Sequence, residues 1–523
     1  MKPYDMGLLL DECADRGVPT VVHLDRPFDI APDAGTTHDL PALARLVRTA
    51  AGWLAAAGAG RGDRVAIVKD NHWDYDLLAC AAVRVGAVPA KLSGHLAPES
   101  LAVLLGRLSP TVLVTTAEVL ATADSAGVDL TDACRTTVTV DRAHPRAVHV
   151  GEFRHAVPPR PVRPRADEPL VIMHTSGTTG LPKLVVHSTR TIIGALARME
   201  ASRLPVAGVR RSDTVTNASS YAHGRTFCWT ASVLSLAPAE VVVLTDTDPD
   251  RADPVLRAHP PTVIEALPAA YARLQPLTTR LDNAFRAVRL FASTYDAVHP
   301  PTVRSYLAAS ARRRPLWMQG WGQSETGPIT FRFLGRKSAA WRNAGRAIPL
   351  RTRLRVIDPA TLDPVPRGRP GVVQVRTPAR CLGYVGEAER FAGKCADGWW
   401  NTGDVGVLTR TGSVYLLDRE VDTVPGMSCL AVEDVVEDRL GAVTECVVLG
   451  RTGAPPLPVV VTADGTLDHA AWSAAVADLP RLAEPVVLAR DDVPRTGTGK
   501  VRRSALLAAL TGNAAPAGSG RWT

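Results

Sequence analysis

One short segment, LVIMHTSGTTGLPK at residues 170–183, limits what this chain can fold into. Its apolar start is typical of a buried strand, and Leu184 to His187, which follow it, predict a second strand. Between the strands, the glycines of TSGTTG allow a tight turn in which successive backbone N–H groups converge on one anion. Four hydroxyl groups and Lys183 supply further donors and a positive charge. The segment therefore predicts a loop that binds a polyphosphate.

Two alternatives explain the segment less well. A polar hairpin turn is the simplest, because Gly, Ser and Thr are common in turns, but a run of such residues followed by Pro182 and Lys183 disfavours it. The Walker loop has the pattern G-x-x-x-x-G-K-[ST] and leads into a helix. Here the residues after Lys183 predict a strand, so this second alternative is excluded by spacing.

The segment resembles the T-S-G-T-T-G-x-P-K signature of the adenylate-forming superfamily, which includes acyl-CoA and aryl-CoA synthetases, luciferases and the adenylation domains of nonribosomal peptide synthetases. The chain looks most like a bacterial acyl- or aryl-CoA ligase. The resemblance implies that ATP is held by Thr175, Ser176, Gly177, Thr178, Thr179, Gly180 and Lys183, and that Thr179 also has a catalytic role at a Mg²⁺ ion. Leu184 departs from the family, which usually has glycine after the lysine.

Length and composition exclude several other classes of protein. A chain of 523 residues predicts two or more domains. No apolar run reaches the roughly 20 residues of a membrane span, and no signal pattern opens the chain, so we expect a cytoplasmic protein without a membrane partner. The formal charge is +8, but the basic residues are scattered among acidic ones, which disfavours a nucleic-acid partner. The eight cysteines lack metal-like spacing and are expected to be reduced.

The order of apolar patterns predicts an α/β fold. Helical and strand patterns alternate in the first third of the chain, which favours parallel-sheet units. The resemblance implies a large N-terminal domain at residues 1–418, with several subdomains of mixed sheets and helices, that carries the ATP and carboxylic acid sites. It also implies a small mobile α/β domain at residues 419–523 that rotates about a hinge at 419–422.

Two further motifs complete a predicted nucleotide site. The segment QGWGQSETGP at residues 319–328 resembles the family's Y-G-x-T-E motif, so the resemblance assigns Trp321, Gly322, Ser324 and Glu325 to the nucleotide. An aromatic ring can stack on a purine, and the Glu325 carboxylate is a hard oxygen ligand of the kind that Mg²⁺ prefers. Asp404, in the T-G-D motif, can accept hydrogen bonds from both ribose hydroxyls.

The predicted acid pocket departs from the family. The resemblance places His223 and Phe227 at its wall, with His223 as a candidate catalytic residue, although a lone histidine is more often a structural residue. Gly320 belongs to the same wall. Thr294 and Tyr295 stand where relatives tend to have small glycines, so the pocket is expected to be reshaped.

The hinge departs from the family pattern, whereas the C-terminal motif follows it. Arg419 is retained as a ligand of ribose and phosphate, but Val421 replaces the usual pivot aspartate and Pro425 the usual lysine. Proline fixes the backbone and removes a donor. In contrast, PRTGTGK resembles P-K-T-x-S-G-K, and its Lys500 is the expected catalytic lysine, since an ammonium group neutralises charge as pyrophosphate leaves. The sequence therefore supports adenylation better than thioester formation.

The predicted activity is ATP-dependent activation of a carboxylic acid to acyl-AMP. The acid is expected to be hydrophobic or aryl, with a bulky acid of specialised metabolism, such as antibiotic biosynthesis, among the candidates. The expected second step transfers the acyl group to coenzyme A. Three alternatives remain open: an enzyme that hands acyl-AMP to a second protein in trans, a loader of a carrier protein, and a nucleotide-binding pseudoenzyme. Retention of Lys500, Glu325 and Asp404 argues against the last. A homodimer is compatible with the sequence.

Overall fold

The protein is described by a computed structural model that covers residues 5–175, 181–202, 207–294, 298–338, 342–451, 453–462, 464–496 and 499–512. Within these ranges, no helix has the length and apolar character that crossing a membrane requires.

The strands, numbered in chain order, are β1 (Val21–Leu24), β2 (Thr37–Asp39), β3 (Arg64–Lys69), β4 (Val88–Ser93), β5 (Val112–Thr115), β6 (Thr136–Thr139), β7 (Val148–His149), β8 (Pro169–His174), β9 (Leu184–Ser188), β10 (Thr214–Ala218), β11 (Glu240–Val243), β12 (Val263–Ala266), β13 (Leu290–Ser293), β14 (Leu316–Gln323), β15 (Gly327–Leu334), β16 (Asn343–Ala347), β17 (Arg353–Ile357), β18 (Pro370–Arg376), β19 (Gly383–Tyr384), β20 (Cys395–Ala396), β21 (Trp399–Leu408), β22 (Ser413–Arg419), β23 (Val443–Leu449), β24 (Leu457–Thr462) and β25 (Val486–Leu488).

The α-helices are α1 (Leu9–Asp15), α2 (Leu40–Ala56), α3 (Asp74–Arg84), α4 (Pro98–Leu108), α5 (Ala117–Ser125), α6 (Arg198–Glu200), α7 (Gly224–Leu236), α8 (Pro249–Ala258), α9 (Pro268–Leu274), α10 (Pro300–Ala309), α11 (Ala388–Gly393), α12 (Cys429–Arg439), α13 (His469–Val476) and α14 (Arg503–Thr511). A π-helix covers Thr189–Ala197, and short 3₁₀ helices cover Pro32–Ala34, Val150–Phe153, Gln275–Thr279, Ala284–Ala287, Glu420–Asp422 and Arg490–Asp492.

The described strands form three sheets. One has the order β19-β9-β8-β4-β3-β5-β6-β7 and carries the hairpin of β8 and β9 at its edge region. A larger mixed sheet contains the parallel run β1-β11-β10-β12-β13-β14, which continues through antiparallel strands to β17. A small sheet, β23-β24-β25, lies near the C-terminus. The mixed architecture confirms the predicted α/β fold class.

Local sequence explains why these elements form where they do. The Asp39 side chain caps α2 by accepting the N–H of Ala42 at 2.7 Å, and Pro41 lies in the first turn, where its missing N–H costs nothing. The apolar stripe predicted for this helix is buried, with Leu43 and Val47 in the main core. The strand pair predicted around the phosphate loop is present as β8 and β9.

One predicted strand is displaced along the chain. The apolar run from Val242 to Thr245 predicts a strand, but β11 spans Glu240–Val243 because its pairing with β1 begins at Glu240. The Asp25 carboxylate accepts the N–H groups of Thr245 and, at 2.8 Å, of Asp246. These N–H groups are bound to Asp25 and not to a neighbouring strand, so β11 ends at Val243.

Ion pairs connect the elements after Arg419 to the larger part of the protein. Arg304 of α10 lies 2.8 Å from Asp438 of α12, and Arg342 lies 3.0 Å from Asp434 of the same helix. His299, just before α10, pairs with the buried Glu437. Burial by itself would lower the pKa of His299, but the Glu437 carboxylate outweighs it and raises the pKa to about 9.

This histidine gives the contact a pH dependence. The pKa of His299 is raised from an ordinary 6.5 to about 9. The stability that its ion pair with Glu437 adds to the contact between α10 and α12 is therefore complete below pH 6.5 and is lost as the pH rises through about 9. Glu437, Glu445 and Asp434 are the charges that favour the protonated form. We expect docking of α12 on α10 to weaken by about 1 kcal/mol above that pH.

Distance-sensitive fluorescence between dyes on the two sides of the interface measures this change. His299→Gln should abolish the step near pH 9 and leave the signal flat. A wild-type signal that does not change between pH 7 and 10 would contradict the assignment.

Candidate active site

The neck of the predicted phosphate loop is closed by two backbone contacts. The N–H of Thr175 donates to the Lys183 carbonyl at 3.0 Å, and the N–H of Lys183 donates to the Thr175 hydroxyl oxygen at 3.0 Å. These bonds hold both ends of the loop between β8 and β9. The predicted residues Ser176, Gly177, Thr178, Thr179 and Gly180 lie outside the described residues.

Glu325 joins the loop to a second element. It lies in the turn between β14 and β15, and its Oε1 accepts from Lys183 Nζ at 3.2 Å and from the Tyr384 hydroxyl at 2.6 Å. Burial opposes ionisation of this carboxyl, but Lys183 and then Tyr384 outweigh it and hold its pKa below the ordinary value. Glu325 is therefore ionised at neutral pH, as a ligand of Mg²⁺ must be.

The hairpin that carries Glu325 is tightly constrained. A Cβ on Gly322 would lie 2.2 Å from the Gly327 carbonyl oxygen, so only glycine fits there. His187 Nε2, on β9, lies 2.8 Å from the Ser324 carbonyl oxygen and donates to it. Ser324 and Glu325 are thus fixed relative to the phosphate loop.

Asp404 lies on β21 opposite Arg419 on β22, and their side chains are 3.5 Å apart. The Asp404 carboxylate accepts from the Gln323 amide at 3.2 Å and also from the Trp321 side chain. Burial raises its pKa, against the charges of Arg419 and Lys500. The structure therefore brings Trp321 and the T-G-D aspartate together, as a nucleoside site requires.

The predicted acid pocket lies at the carboxyl ends of the parallel strands. His223, before α7, is buried and its ring lies 4.5 Å from that of His174. Burial first, then the neighbouring His174 and Lys91, lower the pKa of His223 well below its ordinary value, so the ring is neutral. Gly320 lies beside Thr294, because a Cβ added at Gly320 would be 3.4 Å from Thr294 Cγ2. Phe227 is fully buried, and Tyr295 lies outside the described residues.

Lys500 enters this region from the C-terminal part of the chain. It follows Gly499, whose φ of +80° favours glycine and whose added Cβ would lie 2.5 Å from Ala269 Cβ on α9. Lys500 is close enough to Asp404 and His223 to influence the titration of both. The lysine therefore lies within electrostatic reach of both the predicted ribose position and the predicted acid position.

A buried ion pair, Lys91 with Asp76, contacts the backbone of His223. Lys91 and Asp76 pair with no exposed side-chain surface, and Lys91 Nζ also donates to the Thr226 hydroxyl at 3.0 Å and to the His223 carbonyl at 3.2 Å. Removing one partner of a buried pair leaves an uncompensated charge.

Lys91→Met is therefore expected to lower the free energy of unfolding by about 3–5 kcal/mol, measured by urea denaturation. The double variant with Asp76→Leu should recover part of the loss, and Lys337→Met, at an exposed lysine, should change little. A loss below about 1 kcal/mol for Lys91→Met would contradict this role.

Several residues of the site were not predicted. Tyr384 is the clearest case: the sequence showed only a Gly-Tyr pair, and β19 brings the hydroxyl onto Glu325 by pairing with β9. Lys394 is another, because its Nζ lies 3.5 Å from the position of a Cβ on Gly403. Burial and then Lys183 lower the pKa of Lys394 to about 8. Both depend on long-range pairing that local motifs do not encode.

The geometry agrees with comparisons to known proteins. The AMP-binding enzyme family matches residues 22–385. The chain is 36% identical to the 3-amino-2-hydroxy-4-methoxybenzoate diazotase of Streptomyces cremeus, over 97% of this chain and 96% of that protein. It is 28% identical to the 3-hydroxybenzoate–CoA ligase of Aromatoleum sp. (strain CIB), over 88% and 89%. A benzoate CoA ligase structure from Burkholderia xenovorans LB400 superposes with a TM-score of 0.79 at 19% identity, covering 96% and 99%. The chain therefore belongs to the AMP-binding enzyme family, the adenylate-forming superfamily that its motifs resemble.

Proposed function

We propose that this enzyme is an ATP-dependent diazotase that adenylates nitrite and transfers the activated nitrogen to an aromatic amine of the aminobenzoate class. The observation that carries the proposal is the 36% identity, over nearly the whole chain, to a protein named as a diazotase of an aminohydroxybenzoate. The departures at Val421 and Pro425 support it, because they fall in the hinge loop that the family uses for thioester formation.

The chemistry follows from the family's first step. A nitrite oxygen attacks the α-phosphorus of ATP in place of a carboxylate oxygen, and pyrophosphate leaves. The amine lone pair then attacks the nitroso nitrogen, AMP leaves with the bonding electrons, and the amine loses a proton. The N-nitrosamine tautomerises, is protonated on oxygen and loses water, which gives the diazonium group. No external oxidant is needed, since nitrite supplies nitrogen in the required oxidation state.

The described residues divide this work between positioning and charge neutralisation. Lys183 would hold the β- and γ-phosphates, and Asp404 with Arg419 the ribose. Lys500 would neutralise charge at the α-phosphate as pyrophosphate leaves. The neutral His223 would line the pocket where oxyanion and amine meet.

The donor set fits Mg²⁺. Glu325 is a buried, ionised carboxylate whose Oε1 is used by Lys183 and Tyr384, so Oε2 would hold the ion. When bound, Mg²⁺ would supply charge neutralisation on the triphosphate. Thr179, the second predicted ligand, lies outside the described residues.

A second candidate is the aryl acid–CoA ligase predicted from the sequence, in which a carboxylate is adenylated and the acyl group passes to coenzyme A, to a carrier protein or to a partner enzyme in trans. The 28% identity to a 3-hydroxybenzoate–CoA ligase favours it.

One incubation separates the two candidates. Enzyme, MgATP and ¹⁵N-nitrite are mixed with a panel of aminobenzoates near pH 8, where uncatalysed diazotisation is slow, and the product is trapped as an azo dye for mass spectrometry. We expect one labelled nitrogen per dye and one AMP per product, both dependent on nitrite. Pyrophosphate release with an aryl acid alone, followed by an acyl-CoA product when CoA is added, would overturn the proposal and establish the second candidate.

A further inference from the structure

We propose that Glu265 and Glu200, held on opposite sides of Arg225, form the subsite that recognises the amino group of the aromatic substrate; this inference rests on the proposed function. Arg225 donates to both oxygens of Glu265, at 2.7 and 2.8 Å, and to Glu200 at 2.6 Å. All three side chains are at least four-fifths buried. Two carboxylates share one guanidinium among the described residues, so the cluster carries a net negative charge.

Strand register places this cluster in the acid pocket. Glu265 on β12 is in register with Asn217 on β10 and with Ala292 on β13, so their side chains share one face of the sheet. Ala292 is in turn in register with Met318 on β14, and Gly320 lies two residues further along that strand. Gly320, a residue of the predicted pocket wall, is therefore on the face of the sheet that carries Glu265.

Buried polar atoms without a partner lie on this face and just beyond the ends of its strands. In the described part of the chain, Asn217 Nδ2, Ser219 Oγ and Thr294 Oγ1 are buried and have no hydrogen-bond partner. These residues are only 1%, 2% and 8% exposed; Asn217 is in register with Glu265, Ser219 follows β10 and Thr294 follows β13. Buried polar groups are normally satisfied, so these atoms indicate a polar ligand rather than a purely hydrophobic acid.

The charge of the cluster selects the kind of ligand. An anionic group would be repelled, whereas an amine can donate an N–H to a carboxylate and keep its lone pair for attack on the nitroso nitrogen. The negative charge would also stabilise the diazonium cation as it forms. The neighbouring Cys228 is consistent with a negatively charged surrounding, because burial and then Glu200 raise the pKa of its thiol.

Binding measurements test the subsite without turnover. Calorimetry on the full chain gives the Kd of benzoate and of amino- and hydroxybenzoates substituted at the ortho, meta or para position. For at least one position, wild type should bind the amino compound at least about tenfold tighter than the hydroxy compound. Glu265→Gln and Glu200→Gln should each reduce that ratio to about twofold or less, whereas Glu240→Gln, a carboxylate on β11 of the same sheet, should leave it unchanged.

The outcomes separate this inference from the proposed function. Equal binding of amino and hydroxy compounds by wild type, or a preference that survives in a folded Glu265→Gln or Glu200→Gln protein, would overturn the subsite. Urea midpoints identify which variants are folded, and either glutamine variant suffices. An amino preference with no diazo product from any amine would refute the diazotase while leaving the subsite intact.

Discussion

Lys500→Ala is expected to slow pyrophosphate release by roughly 10²–10³-fold, equivalent to about 3–4 kcal/mol of transition-state stabilisation. Lys500 lies within electrostatic reach of Asp404 and His223, which belong to the predicted ribose and acid positions. Its ammonium group would meet the negative charge that builds up at the α-phosphate. Because that charge develops in the transition state, the loss should fall mainly on kcat. The measurement is the initial rate of nitrite-dependent pyrophosphate release.

Two further observations make this result specific. The Kd of ATP should change by less than about threefold, since Lys183, Asp404 and Arg419 remain. Lys337→Ala removes an exposed lysine that has no role in the predicted site, so it serves as the matched control and should retain full activity. A Lys500→Ala protein that releases pyrophosphate at the wild-type rate would show that another group performs this role.

Glu325→Gln is expected to reduce the same rate by roughly 10²-fold or more. The amide keeps the size of the side chain but removes the charge that Mg²⁺ requires, and it leaves Lys183 without its anionic partner. The apparent affinity for Mg²⁺ should fall in parallel, which a titration of the rate with MgCl₂ measures.

Tyr384→Phe separates charge from positioning at this site. It removes one hydrogen bond to Glu325 Oε1 and leaves the carboxylate, so the rate should fall by only about tenfold. If Glu325→Gln and Tyr384→Phe had equal effects, Glu325 would act through its hydrogen bonds and not through its charge.

The sequence predicted the fold class and family because both depend on contiguous motifs. The two strands predicted on either side of the phosphate loop are present as β8 and β9. The roles of Lys500, Glu325 and Asp404 stay predictions, although the structure brings these residues into one region. Local residues were sufficient here because a turn rich in glycine or a capped helix is specified by its neighbours in sequence.

The remaining parts of the site depend on contacts that no local pattern encodes. Glu265 sits in a four-residue apolar strand, and its partner Arg225 is forty positions away. The place proposed for it rests on the register of β10, β12 and β13. The CoA step expected from the resemblance was not established either, because the similar proteins include both a diazotase and a CoA ligase.

The close approach of Gly499 to Ala269 has a consequence for the position of Lys500. Gly499 rests directly on α9, and no side chain fits between them. A side chain at position 499 would force this contact apart and would displace the neighbouring Lys500 with it. The proposed role of Lys500 therefore depends on a glycine that does not itself touch a ligand.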